Sequence, residues 1–306
     1  MAQDISRGVA VLGCGLIGAS WAALFLHHGF DVRAWDPSEE ARTSFAARLT
    51  RPLGQLGELG EGAAQKGRLT LCATLREAVT DAAFIQENAP ESIPLKQALY
   101  AQIEAVPGAA TIATSASGLT WSDLCGSMTN PNRLITAHPF NPPHLVPLVE
   151  LYGPDTARLD HAETLYRAIG RVPVRLKKEA TGHIANRLAS ALYREAVHIV
   201  AEGIADVEAV DAALVNGPGL RWSVMGAHMT YHLGGGAGGI EHYLEHLGPS
   251  QQRRWASLGT PQLTPQICDT LIEGVKTACH GRGIPELEEE RDAGLMAALK
   301  TKAKQT

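Results

Sequence analysis

Paired cysteines are missing from this chain. Its five cysteines (Cys14, Cys72, Cys125, Cys268 and Cys279) are odd in number, widely scattered and nowhere spaced C-x-x-C. That excludes a disulfide framework and a zinc ribbon, and points to a reducing cytoplasm. A surplus of positive charge is missing too. Lys and Arg total 27 against 32 Asp and Glu, a formal net charge of -5, so nothing general draws the surface to nucleic acid or an anionic membrane. One stretch, Gly8 to Leu26, is nearly free of charge and about long enough to span a bilayer. Its glycines weaken a helix, no A-x-A-like cleavage site follows it, and Asp31, Arg33 and Asp36 come at once. A small-molecule function, with no membrane and no nucleic acid, is the expectation. At 306 residues and 45% apolar composition, the chain is long enough for two globular domains. Only the last residues, with Lys300, Lys302 and Lys304, suggest a solvated tail.

The stretch that organises the rest is Gly8-Val-Ala-Val-Leu-Gly13-Cys-Gly15-Leu-Ile-Gly18, followed by Asp31-Val-Arg-Ala-Trp-Asp36. An apolar strand leads into G-x-G-x-x-G and then into a helix. One glycine serves the tight turn, one lets a pyrophosphate approach the backbone, and one lets the helix pack close on the strand. Gly13, Gly15, Leu16, Ile17 and Gly18 would thus cradle the phosphates at a helix N-terminus. Asp36 stands where a carboxylate would hold the adenosine ribose and repel a 2′-phosphate, so the expected cofactor is NAD. Cys14 is either a small residue tolerated in the turn or a redox-sensitive thiol near a helix end.

Past Asp36 the pattern alternates: a helix from Ser38, a glycine-rich and weakly helical segment from Gly54 to Gly67, then strands Leu69–Cys72 and Ala83–Glu87 with a short helix between. Alternation at this spacing predicts a parallel sheet with helices on both faces. Ligands bind where the strands of such sheets end. Glu91 and Lys96 follow one strand end and admit two readings, a solvated helix start or a ligand site. The strand from Thr111 ends in Ser115 and Ser117, and the strand from Arg133 ends in His138-Pro-Phe140-Asn-Pro. Leu145-Val-Pro-Leu-Val-Glu150-Leu reads as a strand interrupted by Pro147. A carboxylate in so apolar a run needs a partner, and His138 is the candidate. A solitary strand-end histidine serves structure more often than chemistry. The acid and the hydroxyls nearby argue for a general base.

After the strand Val172–Leu176 the βα rhythm stops. Helices alone are expected from Thr181: Gly182 to Glu202 with Thr181 as N-cap, Val207 to Val215, a stretch around Gly239 to His246, Pro265 to Ala278, and Pro285 to Leu299. The expected organisation is a Rossmann-type, mostly parallel α/β sheet over residues 1–180, followed by an all-α domain over 181–306. His242-Tyr-Leu-Glu245-His246 spells H-x-x-E-H, and His228 and His232 form another helical pair. With no third ligand placed, exposed helix histidines explain both, and no metal is expected.

Four separated residues, Ser117, His138, Glu150 and Asn186, together with His138-Pro-Phe-Asn-Pro and Gly182-His-Ile-Ala-Asn186-Arg, carry a resemblance over essentially the whole chain. The sequence resembles the L-3-hydroxyacyl-CoA dehydrogenase superfamily, whose motifs are H-[FP]-x-N-P and G-F-[IV]-x-N-R. The resemblance implies that His138 is the base, that Glu150 orients it, and that Ser117 and Asn186 hydrogen-bond the substrate oxygen. It also sets Glu91 and Lys96 beside the nicotinamide ribose. There are departures: Ser115 stands where asparagine is usual, the glycine-aromatic C-terminal motif of CoA-specific members is missing, and arginines (Arg42, Arg48, Arg51) replace a lysine-bearing arm.

Arg221-Trp222-Ser-Val-Met-Gly226 and the longer tail look more like the branch acting on free acids, the L-carnitine and L-gulonate dehydrogenases, the latter also known as lambda-crystallin. The expectation is NAD-dependent oxidation of a free L-3-hydroxy acid, carnitine-like or gulonate-like. The alternatives are a 3-hydroxyacyl-CoA substrate or a crystallin-like structural role. Arg221 is a candidate for the substrate carboxylate, and Trp222 or Phe140 for a trimethylammonium group; Arg221 and Trp222 also read as a packing pair. The resemblance makes the helical domain the interface of a homodimer.

Overall fold

β1 (Gly8–Leu12) buries four consecutive side chains, Val9 to Leu12. They divide by parity, as a strand requires. Val9 and Val11 join a core with Trp21, Phe25, Phe84 and Tyr166 on one face. Ala10 and Leu12 join a second core with Leu99, Tyr100, Ile112 and Leu134 on the other. A strand buried on both faces is what a parallel sheet covered by helices needs.

The computed structural model describes residues 8–60 and 62–303. After β1 come β2 (Asp31–Trp35), β3 (Leu69–Leu71), β4 (Phe84–Glu87), β5 (Thr111–Thr114), β6 (Leu134–Pro139), β7 (Leu148–Tyr152) and β8 (Val172–Arg175). They form one eight-stranded sheet in the order β3-β2-β1-β4-β5-β6-β7-β8. Every pairing is parallel except β6 with β7. The order reverses between β1 and β4, the switch point where such sheets open a crevice for ligands. The helices are α1 (Leu16–His27), α2 (Glu39–Arg48), α3 (Thr50–Leu59), α4 (Leu75–Val79), α5 (Ile93–Glu104), α6 (Trp121–Cys125) and α7 (Thr156–Ala168). The apolar stretch weighed as a membrane span is β1 and α1, whose residues Gly18 to His27 are all buried. Among the described residues no helix is long and apolar enough to cross a membrane.

Beyond the sheet lie α8 (Ala185–Ala201), α9 (Val207–Asn216), α10 (Pro218–Val224), α11 (Ala227–Gly234), α12 (Gly239–His242) running into a π-helical turn (Tyr243–Leu247), α13 (Gly248–Ala256), α14 (Pro265–Ala278) and α15 (Ile284–Ala303). Contacts divide the chain into a unit running up to Ala185 and resumed from Glu289, and a second unit, Asn186–Glu288. Asp292 ties α15 into the first unit. It is 3% exposed and accepts hydrogen bonds from Arg51 Nη2 at 2.7 Å and Gln55 Nε2 at 2.9 Å, both on α3.

Four local expectations change. The strand containing Glu150 starts at Leu148, because the segment before Pro147 turns instead, with Leu145 and Val146 N–H groups bonded to the Pro142 carbonyl. The glycine-rich segment carries a ten-residue helix, α3, which ends where Gly60 turns left-handed at φ 78°. Thr181 does not cap α8: Gly182 and His183 both take positive φ and the helix begins at Ala185. Lys300 and Lys302 belong to α15, and Lys304 lies outside the described residues.

Candidate active site

The glycines after β1 differ in what surrounds them. Gly13 has φ 93°, and a Cβ there would lie 2.7 Å from the Asn88 carbonyl oxygen. A Cβ on Gly18 would lie 1.9 Å from the Gly13 carbonyl oxygen. Gly15 meets nothing within 4 Å; it borders a cavity of about 440 Å³ that also takes in Leu12, Trp35, Asp36, Pro37, Asn88 and the α5 residues Leu95 and Leu99. Two glycines are therefore required by the fold, and the third keeps open the approach to the N-terminus of α1. The arrangement fits a dinucleotide: free backbone N–H groups for pyrophosphate, apolar walls for an adenosine, and a carboxylate between them.

That carboxylate, Asp36, does more than the sequence suggested. Its Oδ2 accepts the Cys14 N–H at 2.8 Å and its Oδ1 the Ser38 N–H at 2.9 Å. The acid thus pins the glycine loop to the end of β2. Cys14 is fully buried, and burial followed by the Asp36 charge pushes its thiol up to about 12. It stays a thiol and not a reactive thiolate, as befits a packing residue.

Across the switch point, Glu87 ends β4 with no exposure. It accepts from Lys96 Nζ at 2.7 Å, the Tyr100 hydroxyl at 2.7 Å and the Ala89 N–H at 2.6 Å. Lys96, expected with Glu91 beside the nicotinamide ribose, is itself 1% exposed inside this ion pair. Glu91 accepts the Ser117 and Gly118 N–H groups, joining the loop after β4 to the loop after β5. Ser115 is the centre of a half-buried network. It receives hydrogen bonds from Trp21 Nε1 at 3.1 Å and Gln86 Nε2 at 3.0 Å, and donates to Asn88 Oδ1 at 2.8 Å.

The antiparallel pair β6–β7 sets His138 directly opposite Glu150. His138 Nδ1 lies 2.8 Å from Glu150 Oε2, and both side chains are buried. Oε1 of the same carboxylate accepts the Ile184 N–H at 2.7 Å and the Ala185 N–H at 3.0 Å. Glu150 therefore caps α8 from another element. Burial would raise its pKa, but the hydrogen bonds from His138, Ala185 and Ile184 outweigh it and hold the carboxyl below its ordinary value. An ionised carboxylate only accepts, so Nδ1 carries the imidazole proton and Nε2 keeps its lone pair for an incoming hydroxyl. Phe140 meets the His138 ring edge-on at 6.4 Å. His183, which the sequence reading passed over, packs its ring 4.8 Å from that of His138. Its place in Gly182-His-Ile-Ala-Asn186, three residues before the asparagine, was the available signal.

Asn186 opens the second unit, in the first turn of α8. Arg221 and Trp222 lie on α10 in that unit, and Trp222 is 38% exposed. His242 and His246 face each other with ring centroids 4.2 Å apart. Among the described residues no group of three or more His, Cys, Asp or Glu could hold a metal ion.

The family model for the NAD-binding domain of 3-hydroxyacyl-CoA dehydrogenase matches residues 8–180, and that for the C-terminal domain matches residues 182–270. An L-carnitine dehydrogenase of Streptomyces griseus subsp. griseus is 45% identical over 309 residues, covering 97% of this chain and 90% of that one. An L-carnitine dehydrogenase of Pseudomonas putida is 42% identical over 296 residues, covering 95% and 92%. The solved structure of 5-formyl-3-hydroxy-2-methylpyridine 4-carboxylic acid 5-dehydrogenase, an NAD+-dependent dismutase, matches with a TM-score of 0.82 at 27% identity over 95% of this chain and 96% of that one.

Proposed function

The chain belongs to the 3-hydroxyacyl-CoA dehydrogenase family and is an NAD-dependent oxidoreductase; from that premise we propose that it oxidises the 3-hydroxyl of a free L-3-hydroxy acid, L-carnitine, to the 3-oxo group. The His138–Glu150 pair carries the reading. A base that leaves Nε2 free, stands at a strand end and is oriented by a buried carboxylate is what proton removal from a hydroxyl needs. The near-full-length likeness to relatives named L-carnitine dehydrogenase supports the choice of acid.

In this reading His138 Nε2 takes the hydroxyl proton. Glu150 keeps the ring in the Nδ1–H tautomer and lowers the energy of the imidazolium that forms. NAD held with its pyrophosphate at the glycine loop would supply the acceptor for the hydride that leaves C3. Ser117, and Asn186 by its motif, donate hydrogen bonds to the oxygen as it becomes a carbonyl, the same donors that would hold an alkoxide in reverse. Gly13, Gly15, Leu16, Ile17, Gly18 and Asp36 bind the dinucleotide. Glu91 fixes the Ser117 loop, and Lys96 acts through Glu87. Phe140, whose ring lies beside the base, offers a face to a quaternary ammonium, as does Trp222. Arg221, exposed on α10, is the candidate cation for the free carboxylate.

The test follows NADH formation with L-carnitine, L-gulonate, 3-hydroxybutyrate and 3-hydroxybutyryl-CoA. L-carnitine should be turned over fastest. Turnover of the thioester alone would assign the alternative CoA substrate, and NADH binding with no turnover of any would favour a structural, crystallin-like role.

The protein would work in the cytoplasm as a homodimer. The second unit carries Leu188, Ile204, Val224 and Trp255 at 68%, 69%, 78% and 61% exposure, and Val197 and Val207 are its buried large aliphatic residues. A helical unit with so little core of its own calls for a covering surface, and a second copy supplies one. A sizing column should give twice the mass of the chain, and elution as a monomer would refute this.

A further inference from the structure

His183 occupies a backbone conformation that few side chains tolerate. Its φ is 50°, in the left-handed region, directly after Gly182 at φ 76°. A non-glycine residue there costs on the order of 1 kcal/mol and persists only where its surroundings hold it. Here they do. The backbone N–H bonds the Ala180 carbonyl at 2.9 Å, and the ring is 3% exposed with Nε2 3.2 Å from the Ala116 carbonyl oxygen. A carbonyl only accepts, so Nε2 of His183 carries the proton. The next two residues give their N–H groups to Glu150. One short turn therefore joins three parts: the strand end that carries Ser117, the face of the His138 ring, 4.8 Å away and inclined by 36°, and the carboxylate that orients that ring.

We propose that His183 is a positioning residue for His138, and that the site works only while both rings are uncharged before the proton is taken. The first half follows from the packing: a buried plate against one face of the imidazole, tethered to Ala116, fixes the plane in which Nε2 is presented. The second half follows from electrostatics. In the reaction His138 must become a cation, and a His183 already charged would place a second positive charge 4.8 Å from it in a site shielded from water. The charged or titratable groups that bear on His183 are His138, Glu150 and Glu91. Burial, first of all, pulls its pKa below the ordinary histidine value, so it is neutral near pH 7 and charges only as the solution turns acid. The family's motif has phenylalanine at this position, and this chain keeps the ring while adding a titratable group. The inference rests on the reading of His138 as the base.

The test is the pH dependence of kcat/KM for wild type, His183→Phe and His183→Gln, from about pH 8 to about pH 5. In wild type the acid limb should steepen beyond a slope of one toward two, because two groups must be neutral. In both variants it should keep a slope of one. His183→Ala, which removes the plate, should lower kcat about tenfold or more at every pH with NADH affinity unchanged, and His183→Phe should restore most of that loss. A wild-type limb of slope one, or a slope near two surviving in His183→Phe, would overturn the proposal. NADH binding by each variant confirms folding. If no hydroxy acid is oxidised, the functional reading fails separately, and NMR titration of the ring protons still decides this one. The His183 signal should titrate below an ordinary histidine and move up in His138→Phe, whereas an unmoved titration would refute the coupling.

Discussion

His138 and Glu150 are direct cross-strand partners, so His138→Ala removes the base without disturbing the register that places it. Turnover should fall about 10²–10⁴-fold, with NADH affinity by fluorescence titration unchanged; near-wild-type turnover would end the assignment. Asp36 calls for a different expectation. Because its carboxylate holds the N–H groups of Cys14 and Ser38, Asp36→Ala both removes the ribose ligand and leaves two backbone donors unpaired. At roughly 1–3 kcal/mol for each unsatisfied group, NAD affinity itself should drop about tenfold or more while the preference for NAD over NADP erodes, both read from Kd values for NADH and NADPH. An unchanged ratio would place the specificity elsewhere. His138 and Glu150 could be paired from sequence because a carboxylate in an apolar strand demands a partner. Lys96 reads with Glu91 and not with Glu87 in the sequence, because both acids precede it within nine residues and only the turn from β4 into α5 decides which one its Nζ reaches. His183 escaped for a similar reason: a histidine in a motif read for its asparagine carries no sign that its ring will face another histidine.

At the scale of elements, the strand–loop–helix at the front of the chain was readable because each glycine has its own physical reason, and those reasons now separate. Gly18→Ala sets a methyl 1.9 Å from the Gly13 carbonyl oxygen, so α1 must move off β1. Gly15→Ala meets no atom within 4 Å and leaves the fold alone, but it puts a methyl where the pyrophosphate must approach. Gly18→Ala should therefore lower the melting temperature by several degrees, as expected for about 1–3 kcal/mol of overpacking. Gly15→Ala should melt like wild type and lose NADH binding at least about tenfold, a steric loss of the same order. A scan of Tm beside a fluorescence titration checks both, and equal melting of the two variants would contradict this division of roles. The sheet was readable strand by strand, since period and punctuation are local signals. The start of α8 was not. Its cap is Glu150, 34 residues upstream of Ile184, and no local rule finds a cap supplied by another element. In the helical half, α10, α11 and α13 were not expected: α10 starts at Pro218 right after Gly217, α11 at Ala227 after Gly226, and α13 at Gly248-Pro249, where a glycine or proline opens a helix instead of ending one.

For the whole molecule, the consequential polar feature outside the site is a directional chain of side chains. His144, 5% exposed in the turn after β6, has Nδ1 3.0 Å from Ser20 Oγ on α1 and Nε2 2.7 Å from Gln55 Oε1 on α3. Gln55 in turn donates to Asp292 on α15. The Gln55 carbonyl oxygen only accepts, so Nε2 of His144 carries a proton, and in the neutral ring Nδ1 accepts from Ser20. Burial, opposed by Asp292 and aided by the nearby arginines, pulls its pKa down to about 4 from an ordinary 6.5. His27 is pulled down to about 4 by burial, then by Lys66 and His28, and its Nε2 has no hydrogen-bond partner. Both are bases whose folded pKa lies below the unfolded one. Above 6.5 both states are neutral and nothing changes. Between about 6.5 and about 4 the unfolded chain takes up protons that the folded chain refuses, so stability falls as pH falls. Below about 4 that fall levels off. Each histidine contributes a slope of about 1.4 kcal/mol per pH unit across that window, to which His183, shifted the same way, adds. Urea unfolding at fixed protein concentration should record this decline. His144→Gln, which can still donate to Gln55 and accept from Ser20 but cannot titrate, should flatten it by one proton's worth. An undiminished slope in that variant would mean that His144 is charged in the folded protein, donating from both ring nitrogens, and is not a source of the decline.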